Sequence, residues 1–376
     1  MEAKVRPASG RARGVRALAL IAPLGAPAEA RAALGDLSRP RRAGGGAPAY
    51  AALDLGTNNC RLLVARPTHD GFRVVDAYSR IVRLGEGLSQ TGRLSQAAIE
   101  RTMAALAVCR DKMRARGVSR ARLIATEACR AAENGAEFLD EVRERLGIHL
   151  EIVDRETEAR LAVVGCGALV DRDAKSTVLF DIGGGSSEVV WLAGGEGRAG
   201  GFAEPGVKAW ESLRLGVVTL AERFGGVDVD AGVFAAMVEF VAERLAPFAA
   251  RVDGEARCER FHLLGTSGTV TTIAGVYLDL PRYDRRYVDG LWMNRIAIDE
   301  TVGRLRAMSY AERVANPCIG RERADLVLAG CAILEAIRLS FPAERLRIAD
   351  RGLREGILTQ LMSADRVWRQ ANGAEA

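Results

Sequence analysis

The sequence contains the same chemical pattern twice, an aspartate followed by a glycine-rich turn. The first copy runs from Asp54 to Asn59, and the second runs from Asp181 to Glu188. An apolar run precedes and follows each copy, so each is predicted to form a hairpin between two strands. Glycine permits the close backbone approach that a phosphate needs, and a carboxylate at the end of a strand can bind a divalent cation. Two such turns facing each other would hold one phosphate chain.

A third glycine-rich turn, at residues 265–269, joins a predicted strand to a predicted helix. Its amides and the positive end of the helix favour an anion, although an ordinary helix cap formed by Ser267 or Thr269 accounts for the same residues equally well. The three turns together supply the candidate phosphate-binding residues, which are Gly56, Thr57, Asn58, Gly183, Gly184, Gly185, Ser186, Gly265, Thr266, Ser267, Gly268 and Thr269.

One arginine and two glutamates could complete a site for phosphate chemistry. Arg130 follows a predicted strand, where a guanidinium could hold a phosphate through two hydrogen bonds, although isolated arginines such as this one and Arg61 are more often surface charges. Glu156 and Glu158 lie in the first turn of a predicted helix, where acidic residues usually interact with the helix dipole. One of them could instead deprotonate a water, and because they point about 200° apart, at most one faces a cleft.

Strands and helices alternate from residue 50 onward, and they do so in two similar units. The first unit is predicted to contain strands at 50–55, 60–66, 72–82, 122–125 and 150–153, with helices at 95–116, 136–146 and 156–169. The second unit restarts with the same hairpin at 177 and continues with a helix at 231–251 and a strand at 260–264. This duplication predicts an α/β fold of two lobes with a cleft between them.

Residues 1–47 differ in composition from the rest and are predicted to be a disordered basic extension. They are rich in alanine, arginine, glycine and proline, and up to Pro48 they contain nine basic and three acidic residues, whereas the net charge of the whole chain is +5. The remaining body is close to neutral, so no nucleic acid is expected as a partner. A signal peptide beginning near Arg16 is an alternative for this region, but Pro23 interrupts its short apolar run.

The location expected from the sequence is the cytoplasm. The seven cysteines are scattered and form no Cys-x-x-Cys pair, which indicates reduced, buried thiols. No segment approaches the roughly 18 uninterrupted apolar residues of a transmembrane helix, so no membrane partner is expected.

The motifs occur in an order that resembles the exopolyphosphatase and guanosine pentaphosphate phosphohydrolase (Ppx/GppA) family. The resemblance covers nearly all of residues 50–362 and includes two segments not yet mentioned, at 83–88 and 350–356. It implies the duplicated ribonuclease H-like fold of the actin, Hsp70 and sugar kinase superfamily, with lobes at 48–160 and 161–376 and a last helix that could pack back on the first lobe. It also implies hydrolysis of a terminal phosphoanhydride, a divalent cation, usually Mg²⁺, and a homodimer.

The resemblance assigns roles to particular residues. The catalytic glutamate of the family falls on Glu158, its phosphate-gripping arginine falls on Arg130, and its metal-binding carboxylates fall on Asp54, Asp181 and Glu188. The chain departs from the family pattern at Thr157, where a glutamate is usual, and at Ser187, where a threonine is usual. Losing a carboxylate at Thr157 puts the number of metal ions in question, whereas Ser187 retains a hydroxyl.

The expected function is an exopolyphosphatase that releases the terminal phosphate of inorganic polyphosphate with a water activated by Glu158. Guanosine pentaphosphate (pppGpp) is the alternative substrate, because it presents the same terminal anhydride. An ATP-using kinase of the superfamily is a further alternative, but a kinase needs an acceptor site and a base for a hydroxyl, whereas the helix of Glu158 matches the hydrolase pattern. An actin-like regulatory protein that binds nucleotide without rapid turnover is another, but it has no need for the pair formed by Arg130 and Glu158.

Overall fold

The computed structural model describes residues 47–194, 206–252 and 260–368. The predicted basic extension lies outside this range except for its last residue. Within the described residues, no helix combines the length and the apolar character needed to cross a membrane.

The first lobe is built on a five-stranded sheet with the order β3-β2-β1-β4-β5. The three strands β1, β2 and β3 are antiparallel neighbours, and β4 and β5 continue the sheet in parallel with β1. The strands are β1 (Ala49–Leu55), β2 (Asn59–Thr68), β3 (Gly71–Ile81), β4 (Val118–Ala125) and β5 (Glu151–Ile152). The helices of this lobe are α1 (Leu88–Thr91), α2 (Gln96–Ala115), α3 (Glu127–Ala131) and α4 (Gly135–Leu146).

The second lobe repeats this arrangement in a six-stranded sheet with the order β10-β11-β9-β6-β7-β8. Its strands are β6 (Ser176–Ile182), β7 (Ser187–Ala193), β8 (Gly206–Leu213), β9 (Phe261–Thr266), β10 (Trp292–Asn294) and β11 (Arg345–Ala349). Strands β6, β7 and β8 are antiparallel neighbours, and β9 and β11 continue in parallel with β6. The order β8-β7-β6-β9-β11 therefore matches β3-β2-β1-β4-β5, which confirms the predicted duplication.

Helices surround the second sheet and connect the two lobes. The described helices of this part are α5 (Arg155–Cys166), α6 (Val217–Phe224), α7 (Ala231–Val252), α8 (Gly268–Tyr277), α9 (Arg285–Val288), α10 (Arg295–Ala307), α11 (Tyr310–Ala315), α12 (Val327–Ser340) and α13 (Leu353–Ala364). A short 3₁₀ turn at Gly167–Leu169 follows α5. Each lobe has its own buried apolar core on the outer side of its sheet.

The helices α5 and α13 form a third core between the two sheets. This core joins residues of both helices to residues of β1 such as Ala52 and of β6 such as Leu179. Two glycines allow the helices to cross closely, because a side chain at Gly165 would collide with the backbone of Gly352 and one at Gly356 would collide with the backbone of Leu161. The last described helix thus lies against the sheet of the first lobe as well as against α5.

The predicted elements agree with the structure in type, and most bounds agree within a few residues. The sequence did not predict α3, because a helix of five residues is too short to show helical periodicity. It also gave no bounds for β8, β10 and β11, or for α1, α6 and the described helices from α8 onward. The first of these omissions matters for the site, because Arg130 lies within α3 and not simply after a strand.

Candidate phosphate-binding site between the lobes

A cavity of about 110 Å³ lies between the lobes at the ends of the central strands. Most of the predicted site residues line it, namely Asp54, Gly56, Thr57, Asn58, Glu158, Asp181, Gly183, Gly184, Gly185, Ser186, Glu188, Ser267, Gly268 and Thr269. Arg130, Gly265 and Thr266 do not. The duplicated fold therefore brings together the two aspartate turns, the third turn and the predicted base.

The two hairpin turns have the same local geometry. The amide of Gly56 donates to the carbonyl of Asn59 at 2.9 Å, and the amide of Gly183 donates to the carbonyl of Ser186 at 3.0 Å. The aspartate near the end of the first strand faces a different type of residue in each hairpin. Asp54 lies across from Arg61, whereas Asp181 lies across from Glu188. The scaffold is thus repeated, but its charge is not.

The turns of the two lobes are in contact with each other. A Cβ atom on Gly185 would lie 2.6 Å from the hydroxyl of Thr57, and one on Gly184 would lie 3.0 Å from Cβ of the same threonine. Both distances are too short for a side chain, so glycine is required for this approach. The structure therefore represents a closed arrangement of the lobes.

Only part of the third turn contributes to the cavity. Ser267 has a φ of 97°, which directs the chain sharply from β9 into α8, and its hydroxyl caps the helix through the amide of Thr269 at 3.4 Å. The other two predicted residues have packing roles. A side chain at Gly265 would lie 2.6 Å from the ring of Phe180, and the hydroxyl of Thr266 donates to the carbonyl of Arg351 at 2.6 Å.

Burial raises the pKa of four carboxylates that line the cavity, Asp54, Glu158, Asp181 and Glu188. Burial raises the pKa of Asp181 to about 6, with Arg61 opposing the change and Asp54 adding to it. Burial and the charge of Asp181 raise the pKa of Glu188 to about 7. Burial also raises the pKa values of Asp54 and Glu158, in Glu158 with added repulsion from Glu188. Buried carboxylates that repel one another favour a bound cation.

The oxygen ligands that line the cavity fit the divalent cation that the resemblance implies. Asp54, Asp181 and Glu188 offer carboxylate oxygens, and Oδ1 of Asn58 is buried without a hydrogen-bond partner in the described ranges. Within those ranges, no three acidic, histidine or cysteine side chains are arranged to enclose a metal ion. Mg²⁺ commonly binds only one or two carboxylates and completes its shell with waters and substrate phosphates. This donor set therefore suits Mg²⁺ that is shared with a phosphate substrate.

Arg130 lies behind Glu158 and not on the wall of the cavity. Its Nη2 atom is 3.2 Å from Oε2 of Glu158 and 2.6 Å from Oε2 of Glu127, while Nη1 donates to the carbonyl of Val153. These contacts occupy both ends of the guanidinium. In this arrangement Arg130 contacts the predicted base, and its role in gripping a phosphate stays a prediction.

Three charged residues of the cavity were not identified as site residues from the sequence. Arg61 lies across from Asp54, and Arg323 contacts the first turns of α8, where its Nη1 is 3.2 Å from the hydroxyl of Thr272. Both arginines and Glu127 line the cavity. The register of the hairpin could have identified Arg61, but Arg323 comes from a charged loop whose sequence is typical of a surface.

The sequence of this chain matches the model of a known protein family over most of its length. The model of the Ppx/GppA phosphatase family matches residues 63–365. The chain belongs to the Ppx/GppA family.

Individual Ppx/GppA proteins support this assignment. A guanosine-5'-triphosphate,3'-diphosphate pyrophosphatase from Aeromonas salmonicida is 31% identical over 323 residues, which cover 84% of this chain and 60% of that protein. The crystal structure of the Aquifex aeolicus family member has a TM-score of 0.67 and 26% identity, covering 86% of this chain and 98% of that one. An exopolyphosphatase from Cytophaga hutchinsonii has a TM-score of 0.75 and 22% identity, covering 84% and 98%. These likenesses confirm the predicted two-lobed, actin-like fold.

The two departures from the usual Ppx/GppA pattern lie outside the cavity wall. Thr157 belongs to the first turn of α5, where its amide donates to the side chain of Asp154 at 2.7 Å. The hydroxyl of Ser187 donates to the carbonyl of Leu215 at 2.8 Å, a contact that a threonine could also make. Neither substitution removes a group that lines the cavity.

Proposed function

We propose that this chain hydrolyses the terminal phosphoanhydride bond of inorganic polyphosphate in a reaction that depends on a divalent cation. The observation that carries the proposal is the position of Glu158. Its buried carboxylate lines the same cavity as the three glycine-rich turns. A base and a set of phosphate-binding groups therefore line the same cavity, as hydrolysis requires.

The terminal phosphoryl group is bound by backbone amides and arginines. Residues 183–186 and 267–269 present the ends of strands and the start of α8 to the cavity, where amides bind anions. Arg61 and Arg323 add positive charge from the first and second lobe, respectively. Donors that are fixed before the reaction stabilise the charge that develops on the transferred group.

Glu158 orients the attacking water and accepts its proton. The carboxylate is held from behind by Arg130, at 3.2 Å, which fixes its orientation. Asp54, Asp181 and Glu188 would hold Mg²⁺, which supplies charge neutralisation for the phosphate oxygens when it is bound. No covalent intermediate with the protein is required, because water attacks the phosphorus directly.

The size of the cavity is consistent with recognition of the end of a phosphate chain. Pockets that enclose a whole small molecule usually measure about 300–1,000 Å³, whereas this cavity measures about 110 Å³. The terminal phosphoryl group and a water occupy such a space, and the remainder of the substrate extends outside it.

Polyphosphate is the substrate that matches the chemistry of the lining. Glycines, hydroxyls, carboxylates and two arginines make up most of the wall, and each of these either binds phosphate or binds its cation. Hydrolysis of the 5'-terminal phosphate of pppGpp is the second candidate. Its support is the name of the Aeromonas salmonicida relative, a pyrophosphatase of this nucleotide.

A direct comparison of substrates tests the proposal. Purified protein with Mg²⁺ is offered long polyphosphate, short polyphosphate, pppGpp and ATP at equal concentrations of terminal phosphate, and phosphate release is measured. We expect the highest kcat/KM with polyphosphate. Preference for pppGpp would select the second candidate, and preference for ATP would contradict both.

The assembly and the cellular location are further proposals. The family resemblance supports a homodimer, which sedimentation of the full chain would test. A cytoplasmic location is supported by the scattered, unpaired cysteines, of which the six that the structure describes are free thiols. Cell fractionation would test it.

A further inference from the structure

A buried glutamate, Glu127, joins two arginines directly beside Glu158. It is the first residue of α3, which follows strand β4, and its side chain is almost fully buried. Oε2 accepts hydrogen bonds from Arg130 at 3.0 Å (Nε) and 2.6 Å (Nη2). Nη2 of Arg155 donates to both oxygens at 2.8 Å. A carboxylate with two charged partners is firmly fixed.

Glu127 determines which part of Arg130 remains available to Glu158. Glu127 occupies the edge of the guanidinium formed by Nε and Nη2, and the carbonyl of Val153 occupies Nη1. One contact is then left for the base, from Nη2 to Oε2 of Glu158 at 3.2 Å. In the described part of the chain, Oε1 of Glu158 has no hydrogen-bond donor. Glu158 is therefore oriented through one oxygen and keeps the other for a water.

Removing the charge of Glu127 would change this arrangement. An arginine without its partner prefers to bind a carboxylate through two parallel hydrogen bonds. Glu158 is the neighbouring carboxylate, so Arg130 would turn its freed edge toward it and occupy both oxygens. The base would then be drawn back from the water and bound more tightly to a positive charge.

We propose that Glu127 is a positioning residue for Glu158 and that it acts through Arg130. The inference rests on the proposed role of Glu158 as the base. Glu127 itself does not contact the phosphate, because both of its oxygens are occupied by arginines. A solely structural role, in which Glu127 only ties α3 to α5 through Arg155, is the alternative that an experiment must separate.

The substitution Glu127→Gln tests the proposal, because it removes the charge and keeps the size of the side chain. We expect kcat for phosphate release to fall by about 10- to 100-fold, as expected for a displaced catalytic group, while KM changes by less than about threefold. Glu127→Asp keeps the charge but shortens the side chain by one methylene group, which moves the carboxylate away from Arg130. It replaces the glutamine variant if that protein does not fold, and a similar fall in kcat is expected.

A double-mutant cycle separates positioning from structure. In a background of Arg130→Met, Glu127→Gln should lower kcat by less than about a further twofold, because residues that act through each other are not additive. A solely structural role predicts that the two losses multiply, and that result would overturn the proposal. Glu156→Gln is the matched control, since the partly exposed Glu156 pairs with Arg160 of the same helix at 2.7 Å.

The failure of this inference is distinguishable from failure of the proposed function. If Glu158→Gln retains normal turnover, Glu158 is not the base and both are contradicted. If Glu158→Gln is inactive while Glu127→Gln has a normal kcat, only the role of Glu127 is contradicted.

Discussion

Arg61 and Glu188 occupy equivalent positions in the duplicated hairpins, each directly across from the aspartate that approaches the turn. The first lobe therefore places a cation beside Asp54, whereas the second places a carboxylate beside Asp181. The two copies of the hairpin therefore present different chemical groups, a guanidinium and a carboxylate, at the same position. At these two positions, Arg61 can bind a phosphate and Glu188 can bind a metal ion.

Substitutions at these two positions should therefore affect different ligands. We expect Arg61→Met to raise KM for polyphosphate by about tenfold or more, because a charge-assisted hydrogen bond is lost. We expect Glu188→Gln mainly to raise the Mg²⁺ concentration that gives half-maximal activity. Titrations of substrate and of Mg²⁺ measure the two effects, with the exposed Arg80→Met as a control. Equal changes in both titrations for both variants would contradict this division.

An ion pair holds the lobes together at the edge of the cleft. Arg83 of the first lobe donates two hydrogen bonds of 2.9 Å to the carboxylate of Asp325 in the second lobe. We expect Arg83→Met to favour separation of the lobes and to lower kcat/KM by about fivefold, the effect of a partly exposed pair. Small-angle scattering should show a larger radius of gyration without substrate. An unchanged radius would indicate that the other contacts suffice for closure.

Contact between the glycine-rich turns should be necessary for activity. Gly185→Ala would place a Cβ 2.6 Å from the hydroxyl of Thr57 and 3.2 Å from Cγ of Glu127, so the lobes could not close fully. We expect about a tenfold or larger loss of kcat, because misplacement of reacting groups by about 1 Å is costly. Gly71→Ala is the control, since nothing lies near that position. Normal turnover by Gly185→Ala would show that closure is not required.

The buried His262 should make the stability of the protein depend on pH. Its Nε2 lies 3.1 Å from the hydroxyl of Thr177 and accepts from the amide of Asp171 at 3.2 Å, while burial lowers its pKa below the usual 6.5. Asp171 opposes that shift, and Arg345 and Arg347 add to it. Because the unfolded chain binds the proton more readily, the free energy of unfolding should fall as pH decreases below about 6.5, by at most about 1.4 kcal/mol per unit.

Chemical denaturation at pH 7.5, 6.5 and 5.5 measures this dependence. His262→Gln should reduce the slope of unfolding free energy against pH, whereas substitution of the exposed His69 should leave it unchanged. An identical slope in the wild type and in His262→Gln would contradict the assignment.

Much of the fold was predictable because its signals are local. The hairpins at Asp54 and Asp181 show apolar strands separated by glycines, and the repeat of that pattern predicts two lobes. The position of Arg323 in the cavity was not predictable. It depends on the path of the loop between α11 and α12, which no local sequence pattern indicates. Glu127 was missed for a similar reason, because its contacts with Arg130 and Arg155 depend on the position of α3, which the sequence did not predict.

The orientation of Arg130 could not be predicted from the family resemblance. The sequence places it near the cleft, but its orientation depends on Glu127 and on the carbonyl of Val153. Those partners come from different segments, so their meeting is a property of the folded chain. The arginines that line the cavity in the described part of the chain are instead Arg61 and Arg323.

The turnover of Glu158→Gln tests the central claim most directly. The substitution keeps the size of the side chain and removes the group that accepts the proton of water. With polyphosphate and saturating Mg²⁺, we expect phosphate release to fall by about 100-fold or more, with unchanged circular dichroism. Near-normal turnover by a folded Glu158→Gln variant would contradict the assignment of Glu158 as the base and the mechanism built on it.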